Sequence, residues 1–244
     1  MSGHSHAKTV KHKKELSAKK RGQIFSKMAR LISVAVKEGG SNPDINAKLR
    51  MAIETARYYK MPNSNIERAI KRGSGELTGG KLEEFLFEAY GPGGTALLIE
   101  GITDNKNRAL GDVKKTLNQH NGKMVGEGAV RWMFERKGCI TVNLKKQTED
   151  LQDKEKLELQ VIESGAEDVQ WNNDDMDIYI SVEDLEKTKK VLEQKGIKIE
   201  SSTLDWKPKE TLKLTEKDKA SCVKLFDALD ENDNVQDIYS NFKL

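Results

Sequence analysis

Residues 138–206 alternate between short apolar runs of strand length and longer amphipathic segments, and this order constrains the fold more than any other feature of the chain. The segments, in order, are GCITVNL, DLQDKEKLELQVIES, AEDVQW, MDIYISV, EDLEKTKKVLEQKG and IKIESSTLDW. The second amphipathic segment carries a stripe of apolar positions and threonine at helical spacing, formed by Leu185, Thr188, Val191 and Leu192. The order strand, helix, strand, strand, helix, strand is the split βαββαβ motif of ferredoxin-like α+β folds.

Three helices are predicted before residue 75. Apolar residues recur at helical spacing over 24–36, and two consecutive glycines end the run. Asn42 can cap a second helix and Pro43 suits its first position. The apolar stripe of this helix consists of Ile45, Leu49, Ile53 and Ala56. Asn63 can cap a third helix that ends at Gly73, so the pattern predicts a small helical bundle.

The segment GSGELTGG, residues 73–80, has the composition of a hinge, and strand-length apolar runs follow it. Strands are predicted at 85–90, 96–102, 130–134 and 139–144, and Asp104 or Asn105 can cap a helix between the second and the third. After Pro208, TEKD has the pattern of a capping box, and VQDIYSNF has the pattern of a strand. This last helix and strand need a sheet to dock on, and residues 82–136 supply one.

The predicted fold class is therefore α+β and multidomain, with an N-terminal three-helix bundle and two α+β domains, of which one is ferredoxin-like and is inserted in the other. We divide the chain into a basic arm at 1–20, a helical bundle at 21–80, an α+β domain formed by 81–137 and 205–244, and an inserted α+β domain at 138–204.

The charge of the chain is divided unequally along its length. Residues 1–75 carry 17 basic and 5 acidic side chains, whereas residues 76–244 carry 25 basic and 34 acidic ones, so a net charge of +3 conceals a basic part and an acidic part. This division is the electrostatic pattern of a protein whose basic part neutralises phosphates.

We predict that nucleic acid contacts the basic arm and the start of the bundle. The candidate residues are Lys8, Lys11, His12, Lys13, Lys14, Lys19, Lys20, Arg21, Lys27 and Arg30, and Glu15 is the one acid among the first thirty residues. The charge continues onto the polar faces of the helices through Lys48, Arg50, Arg57, Arg68, Lys71 and Arg72. A purely solubilising tail is the alternative interpretation. Tyr58 and Tyr59 lie beside basic residues, and we expect at most one of them to be free to stack on a base.

The sequence predicts neither an enzyme nor a cofactor site. Residues 75–82 have the spacing of a phosphate-binding loop, but Leu82 stands where Ser or Thr should bind magnesium. No GxSxG motif occurs, and His120 is the one histidine outside the arm. The arm histidines have no acid or cysteine ligand near them, and Cys139 and Cys222 lack CxxC spacing, so we predict no metal site. No run of eighteen apolar residues is present, from which we expect a cytoplasmic protein without membrane contact.

Several motifs resemble the YebC/PmpR family, and together they span the whole chain. They are GHSHAKTVKHKKELSAKKRGQIFSK, GGSNPDINAKLRMAIETARYYKMPNSNIERAIKRGSG, YGPGGTALLIEGITDNKNRALGDV, GKMVGEGAVRWMFERKG and FDALDENDNVQDIYSNF. The chain departs from the family pattern at His6 and Ala7, where Lys-Trp is common, at Ala18, near which an acid is common, and at Gln23, where Lys is frequent.

The resemblance implies three domains, which are an N-terminal three-helix bundle and two ferredoxin-like α+β domains, one inserted in the other. It also implies no enzymatic activity and a role as a probable transcriptional regulator that binds DNA. Mitochondrial relatives described as translational activators imply contact with RNA or the ribosome as an alternative. The resemblance places Lys11, His12, Lys14, Lys20, Arg21 and Lys27 at the basic arm positions of the family.

Three hypotheses remain open at this point. The first is a transcriptional regulator that binds DNA through the arm and the bundle, and the second is a translation factor that binds ribosomal RNA. In both, the acidic α+β domains are available to a protein partner. The third is an adaptor that binds proteins only and whose arm serves solubility. Charge alone does not separate the first two, because phosphate contacts position a protein without reading sequence.

Overall fold

A computed structural model describes residues 18–78 and 80–242, with side chains from Lys20 onward. In this part of the chain there are seven α-helices and eight β-strands, and the strands form two four-stranded antiparallel sheets. The predicted α+β class, with helices preceding two sheet-containing units, is confirmed. No helix among the described residues is long and apolar enough to cross a membrane.

The bundle consists of α1 (Ala18–Gly39), α2 (Ala47–Tyr58) and α3 (Asn63–Gly73). The predicted stripes meet in one core, whose fully buried members include Ile32, Ala35, Leu49 and Ala56. The helices of 12 and 11 residues, α2 and α3, are too short to be stable alone, so the core that they share with α1 holds them.

The start of α2 differs from the prediction. Asn46 caps the helix by accepting a hydrogen bond from the Leu49 N–H, and its amide also donates to the carbonyls of Ala35 and Gly40. Asn42 instead accepts from the Asp44 N–H in the preceding turn, which leaves Ile45 outside the helix and 80% exposed. Asn46 rather than Asn42 caps α2 because its side-chain nitrogen donates to two carbonyls at the end of α1, while its side-chain oxygen accepts from the N–H at the start of α2.

The first sheet contains β1 (Glu83–Tyr90), β2 (Ala96–Thr103), β3 (Lys123–Val125) and β8 (Val235–Ser240), in the order β3-β1-β2-β8. Two helices, α4 (Lys106–Gln119) and α7 (Glu216–Asp230), pack their apolar sides on one face. Asn105 and Thr215 cap these helices, as predicted for the first helix and for TEKD. The final helix and strand therefore do complete the sheet formed by the earlier segment.

The second sheet contains β4 (Phe134–Asn143), β5 (Asp168–Asn172), β6 (Asp175–Ile180) and β7 (Ile199–Pro208), in the order β5-β6-β4-β7. Its helices are α5 (Lys154–Ile162) and α6 (Leu185–Gln194), which cover one face. The first strand lies between the third and the fourth, which is the ferredoxin-like arrangement predicted from the segment order.

The predicted strand at 130–134 is wrong for most of its length. Residues Arg131–Met133 form a 3₁₀ turn, and β4 begins only at Phe134. The cause is the carboxylate of Glu88 on β1, which accepts the N–H groups of Gly128, Val130 and Arg131 at 2.6, 2.7 and 2.9 Å. These donors are thus unavailable to a strand ladder.

The boundaries predicted at 137/138 and 204/205 lie inside β4 and β7, which pair with each other along their lengths. The two strands therefore run without interruption from one predicted domain into the other. The division into domains at these residues stays a prediction.

Candidate nucleic-acid interface

Half of the predicted nucleic-acid contacts lie outside the described residues. These are Lys8, Lys11, His12, Lys13 and Lys14, and for Lys19 only the helical backbone is described. Lys20 and Arg21 occupy the second half of the first turn of α1, where both are exposed. The arm is thus followed directly by two surface cations.

Lys27 and Arg30 contact the body of the protein, residues 82–242, which corrects their predicted exposure to phosphates. Lys27 is 6% exposed, and its ammonium donates to the carbonyl and the carboxylate of Asp230 at 2.9 and 2.7 Å. Arg30 donates to the carbonyls of Ile102 and Asp233 and to the side-chain oxygen of Asn234. Helical spacing puts both residues on one side of α1, and that side faces the end of α7.

Other bundle cations also connect the bundle to the body. Lys37 donates to the Leu82 carbonyl, Lys48 pairs with Glu38 and Glu84, and Arg50 pairs with Glu186. In the opposite direction, Lys189 of α6 pairs with Glu54. Burial by itself would lower the pKa of Lys48, but hydrogen bonds and charge from Glu38 and Glu84 outweigh it and raise that pKa. These contacts use part of the basic charge of the bundle to hold the molecule together.

A second set of bundle cations faces solvent. Arg68, Lys71 and Arg72 lie at positions i, i+3 and i+4 of α3, opposite the buried Ile66 and Ala69. We call these three residues the cationic face. None of them forms an ion pair with a carboxylate of the described residues, and the same holds for the exposed Arg57 and Lys60 that precede α3.

The cationic face was visible in the sequence only as charge on a helix. Every bundle cation has the same charge signal in the sequence, and Lys27 and Arg30 are the predicted contacts because they follow the arm. The spacing of Ile66 and Ala69 identifies the outward side of α3, so helical periodicity was the signal that could have separated Arg68, Lys71 and Arg72 from the rest.

The two adjacent tyrosines have different environments. Tyr58 is 43% exposed, whereas Tyr59 is half-buried, and their rings meet edge to face with centroids 5.5 Å apart. Burial, with a smaller contribution from the charge of Asp237, raises the pKa of Tyr59 well above its ordinary value. Tyr58 therefore presents an aromatic ring beside Arg57 and Lys60, and Tyr59 does not.

A cleft of about 1850 Å³ separates the bundle from the first sheet. Its lining includes the cations Lys20, Arg21 and Arg131 but also the carboxylates Glu231 and Asp237. Because nine carboxylates and eight cations line its walls, the cleft has no surplus of positive charge to hold a phosphate backbone.

A hydrogen-bonded network around Glu100 lines part of the cleft. The carboxylate of Glu100 accepts from Arg136 at 2.9 Å, from the Trp206 indole at 2.7 Å and from the Tyr239 hydroxyl at 3.0 Å. Burial raises the pKa of Glu100, although the charge of Arg136 opposes it. Each carboxylate oxygen is thus bonded within the protein, and the network connects the first sheet to β4 and β7. Among the described residues, no group of three His, Cys, Asp or Glu side chains could hold a metal ion.

Two family models match the chain. One, described as the TACO1/YebC protein N-terminal domain, matches residues 5–76, and the other, described as the TACO1/YebC second and third domain, matches residues 82–242.

Relatives match over the full length of the chain. A "Probable transcriptional regulatory protein" of Halothermothrix orenii is 44% identical over 245 residues, which cover 100% of this chain and 96% of the relative. A protein of the same name from Prosthecochloris aestuarii is 45% identical over 246 residues, with 100% and 96% covered. The crystal structure of a conserved hypothetical protein from Aquifex aeolicus is similar with a TM-score of 0.87 and 42% identity, and the match covers 96% of this chain and 95% of that one.

Proposed function

The chain belongs to the TACO1/YebC family, and we propose that it is a non-enzymatic cytoplasmic regulator that binds DNA through its basic arm and the outer side of its helical bundle. The arm supplies Lys8, Lys11, His12, Lys13 and Lys14, with Lys19, Lys20 and Arg21 at the start of α1. The names of the relatives from Halothermothrix orenii and Prosthecochloris aestuarii support a regulatory role.

The observation that carries the proposal is the cationic face. Arg68, Lys71 and Arg72 are exposed on one side of α3 and unpaired with carboxylates among the described residues, whereas Lys27, Lys48 and Arg50 are paired with the body. Cations without an internal partner repel one another, and the phosphates of a polyanion relieve this repulsion. The acidic body leaves its own outer surfaces available to a protein partner.

The test is the salt dependence of binding to duplex DNA. Each phosphate contact contributes about −0.9 to the slope of log affinity against log salt concentration. The triple variant Arg68→Gln, Lys71→Gln, Arg72→Gln should therefore reduce the magnitude of the slope by roughly 2 to 3.

The matched control is Lys114→Gln, Lys115→Gln, Lys187→Gln, which removes the same charge from exposed positions on α4 and α6. This control should keep the wild-type slope. An equal reduction by both triples would show an effect of net charge only, and a wild-type slope near zero would contradict nucleic-acid binding altogether.

A second candidate function is a translation factor that binds ribosomal RNA, and the exposed ring of Tyr58 favours it. A surface tyrosine between Arg57 and Lys60 suits an unpaired base, and RNA recognition commonly uses bases that stack on aromatic side chains. Competition in the same assay separates the two functions. A specific DNA duplex should outcompete ribosomal RNA and bulk DNA by at least ~10³ if the protein is a DNA-specific regulator.

A further inference from the structure

The cleft between the bundle and the first sheet follows α1 from its first turn onward. Lys20, Ile24 and Met28, which lie on one side of α1, line the cleft, and the end of α7 lines the wall of the body. Its volume of about 1850 Å³ exceeds the roughly 300–1,000 Å³ of a typical small-molecule pocket. The cleft is therefore large enough for a segment of polypeptide.

The two walls of the cleft carry opposite charge. Among the described residues that line it, all nine carboxylates belong to the body, together with three cations. The bundle contributes the other five cations and no carboxylate to this lining. The wall formed by the body therefore attracts a positively charged segment and repels the phosphates of a nucleic acid.

The end of α7 is the most acidic part of this wall. Asp230 pairs with Lys27 of α1 at 2.7 Å, and Asp227 and Glu231 lie three residues before it and one after it. Both of these carboxylates line the cleft and are exposed. Because a helix C-terminus carries a partial negative charge of its own, two further carboxylates there favour the approach of additional cations.

The segment that precedes α1 starts within reach of these carboxylates. Lys27 contacts Asp230, and Ala18 lies nine residues before Lys27, which corresponds to about 14 Å along the helix. Residues 1–17 contain four lysines and one acid, and all four lysines lie within ten residues of Ala18. Since ten extended residues span about 33–36 Å, these lysines can reach the end of α7 without any movement of the bundle.

The size and the charge of the cleft favour this segment over other occupants. A nucleic acid would meet the acidic wall, and a small molecule would leave most of the volume unfilled. A basic segment of another protein would have the same charge, but the segment of the same chain is tethered at the first turn of α1. Such a tether holds it near the cleft at a high effective concentration.

We propose that residues 1–17 of the same chain lie in the cleft when no nucleic acid is bound, with lysines beside Asp227 and Glu231, and leave it when nucleic acid binds. The acidic wall thus competes with phosphates for the arm and lowers the affinity of the protein for nucleic acid. The release of the segment rests on the proposed function, whereas its docking in the cleft does not.

The first measurement is zero-length carbodiimide cross-linking of the full chain, with the linked peptides identified by mass spectrometry. Amide links should join lysines of residues 1–17 to Asp227 or Glu231 within one chain. They should decrease in high salt, which screens exposed charges, and on addition of a DNA duplex. The link between Lys48 and Glu84, which pair at 2.7 Å and are both partly exposed, is the positive control in the salt-free sample.

The second measurement is the affinity of full-chain variants for the duplex. Asp227→Asn combined with Glu231→Gln should bind it more tightly by roughly 2- to 30-fold, the effect of losing two exposed ion pairs that hold the arm back. The control Glu149→Gln with Glu210→Gln removes the same charge at exposed positions outside the cleft and should leave the affinity unchanged.

A third variant separates the arm from net charge. In a full chain whose arm lysines are neutralised, Asp227→Asn with Glu231→Gln should no longer increase the affinity, because no charged segment remains to be released. The neutralised chain carries Lys8→Gln, Lys11→Gln, Lys13→Gln and Lys14→Gln.

The outcomes distinguish this inference from the proposed function. Absence of the arm links in a sample that contains the Lys48–Glu84 link overturns the inference, and binding to the duplex would still support the proposed function. Arm links that join two chains assign the cleft to a second copy and overturn the inference. An equal gain in affinity in both double variants also overturns it. Arm links within one chain that does not bind the duplex support the docking and overturn the release and the proposed function together.

Discussion

Glu88 shows how one side chain determines the conformation of a whole loop. Its carboxylate lies on β1 and accepts three N–H groups from residues 128–131, so the loop turns where a strand was predicted. Burial by itself would raise the pKa of Glu88, but the three hydrogen bonds and the charge of Arg131 outweigh burial and lower that pKa below its ordinary value.

Glu88→Gln should destabilise the protein at neutral pH and much less in acid. A carboxamide accepts fewer of the three N–H groups, and hydrogen bonds to a charged acceptor contribute about 1.5–3 kcal/mol each, so we expect a loss of about 2–4 kcal/mol in the free energy of unfolding at pH 7. Because the folded-state pKa is lowered, the contribution of the wild-type carboxylate is present above its unfolded-state pKa of about 4.3 and is lost as the pH falls through the folded-state value.

Urea unfolding from pH 7 to pH 3 measures this difference. The control is Glu83→Gln at the exposed start of the same strand, which should match the wild type at each pH. A difference between Glu88→Gln and the wild type that grows on acidification would contradict the assignment.

At the scale of elements, the C-terminal end of α7 explains why two predicted phosphate contacts face inward. Asp227, Asp230 and Glu231 put carboxylates at the end of a helix, where the helix dipole disfavours negative charge. Lys27 and Arg30 of α1 donate to carbonyl and carboxylate oxygens at this end and so offset both the charge and the unsatisfied carbonyls.

Lys27→Met should therefore affect stability and not nucleic-acid binding. Methionine keeps an apolar chain but removes the charge, and we expect the free energy of unfolding to fall by about 1–3 kcal/mol. This loss is smaller than that for a fully buried pair, because the Asp230 side chain is 31% exposed and can regain water. Guanidinium unfolding and the salt slope on DNA measure the two properties.

The single variant Arg68→Gln should show the opposite behaviour to Lys27→Met. It should reduce the magnitude of the salt slope on DNA by about one and leave the free energy of unfolding unchanged. If Lys27→Met lowered the slope as Arg68→Gln does, Lys27 would contact phosphate after all.

For the molecule as a whole, the cations of the described bundle residues fall into two groups. One group, which includes Lys27, Lys48 and Arg50, contacts carboxylates and carbonyls of the body, and the other group lies on the surface at the cationic face. The excess of acid in residues 76–244 is therefore partly a docking surface for the bundle of the same chain.

Removal of residues 1–17 should weaken nucleic-acid binding without unfolding the bundle. The deleted segment contains four lysines, so the magnitude of the salt slope should fall by about 3 to 4. The core of the bundle uses residues from Phe25 onward, so the thermal midpoint should not change. In a cell extract the deletion should release the protein from DNA or, if ribosomal RNA is the target, from ribosomal particles on a density gradient. A wild-type slope in the truncated protein would contradict the role of the arm.

Local signals in the sequence were sufficient for most of the elements. Helical periodicity predicted α1, α2 and α3, and the order of segments over 138–206 predicted the arrangement of the second sheet. The errors occurred where a distant side chain competes with local preference. Asn46 outcompetes Asn42 as a cap by reaching the end of α1, and Glu88 outcompetes a strand partner for the N–H groups near Val130.

The sequence alone determined most of the helices, the strand order of the second sheet and the sign of the charge on each part, because each follows from neighbouring residues and their spacing. Only the tertiary structure decided which cations meet the acids of the body. Lys27 meets Asp230, which is 203 positions away, and no residue near Lys27 in the chain indicates that partner. The physical reason is that an ion pair depends on the distance between two charges in space, and folding sets that distance.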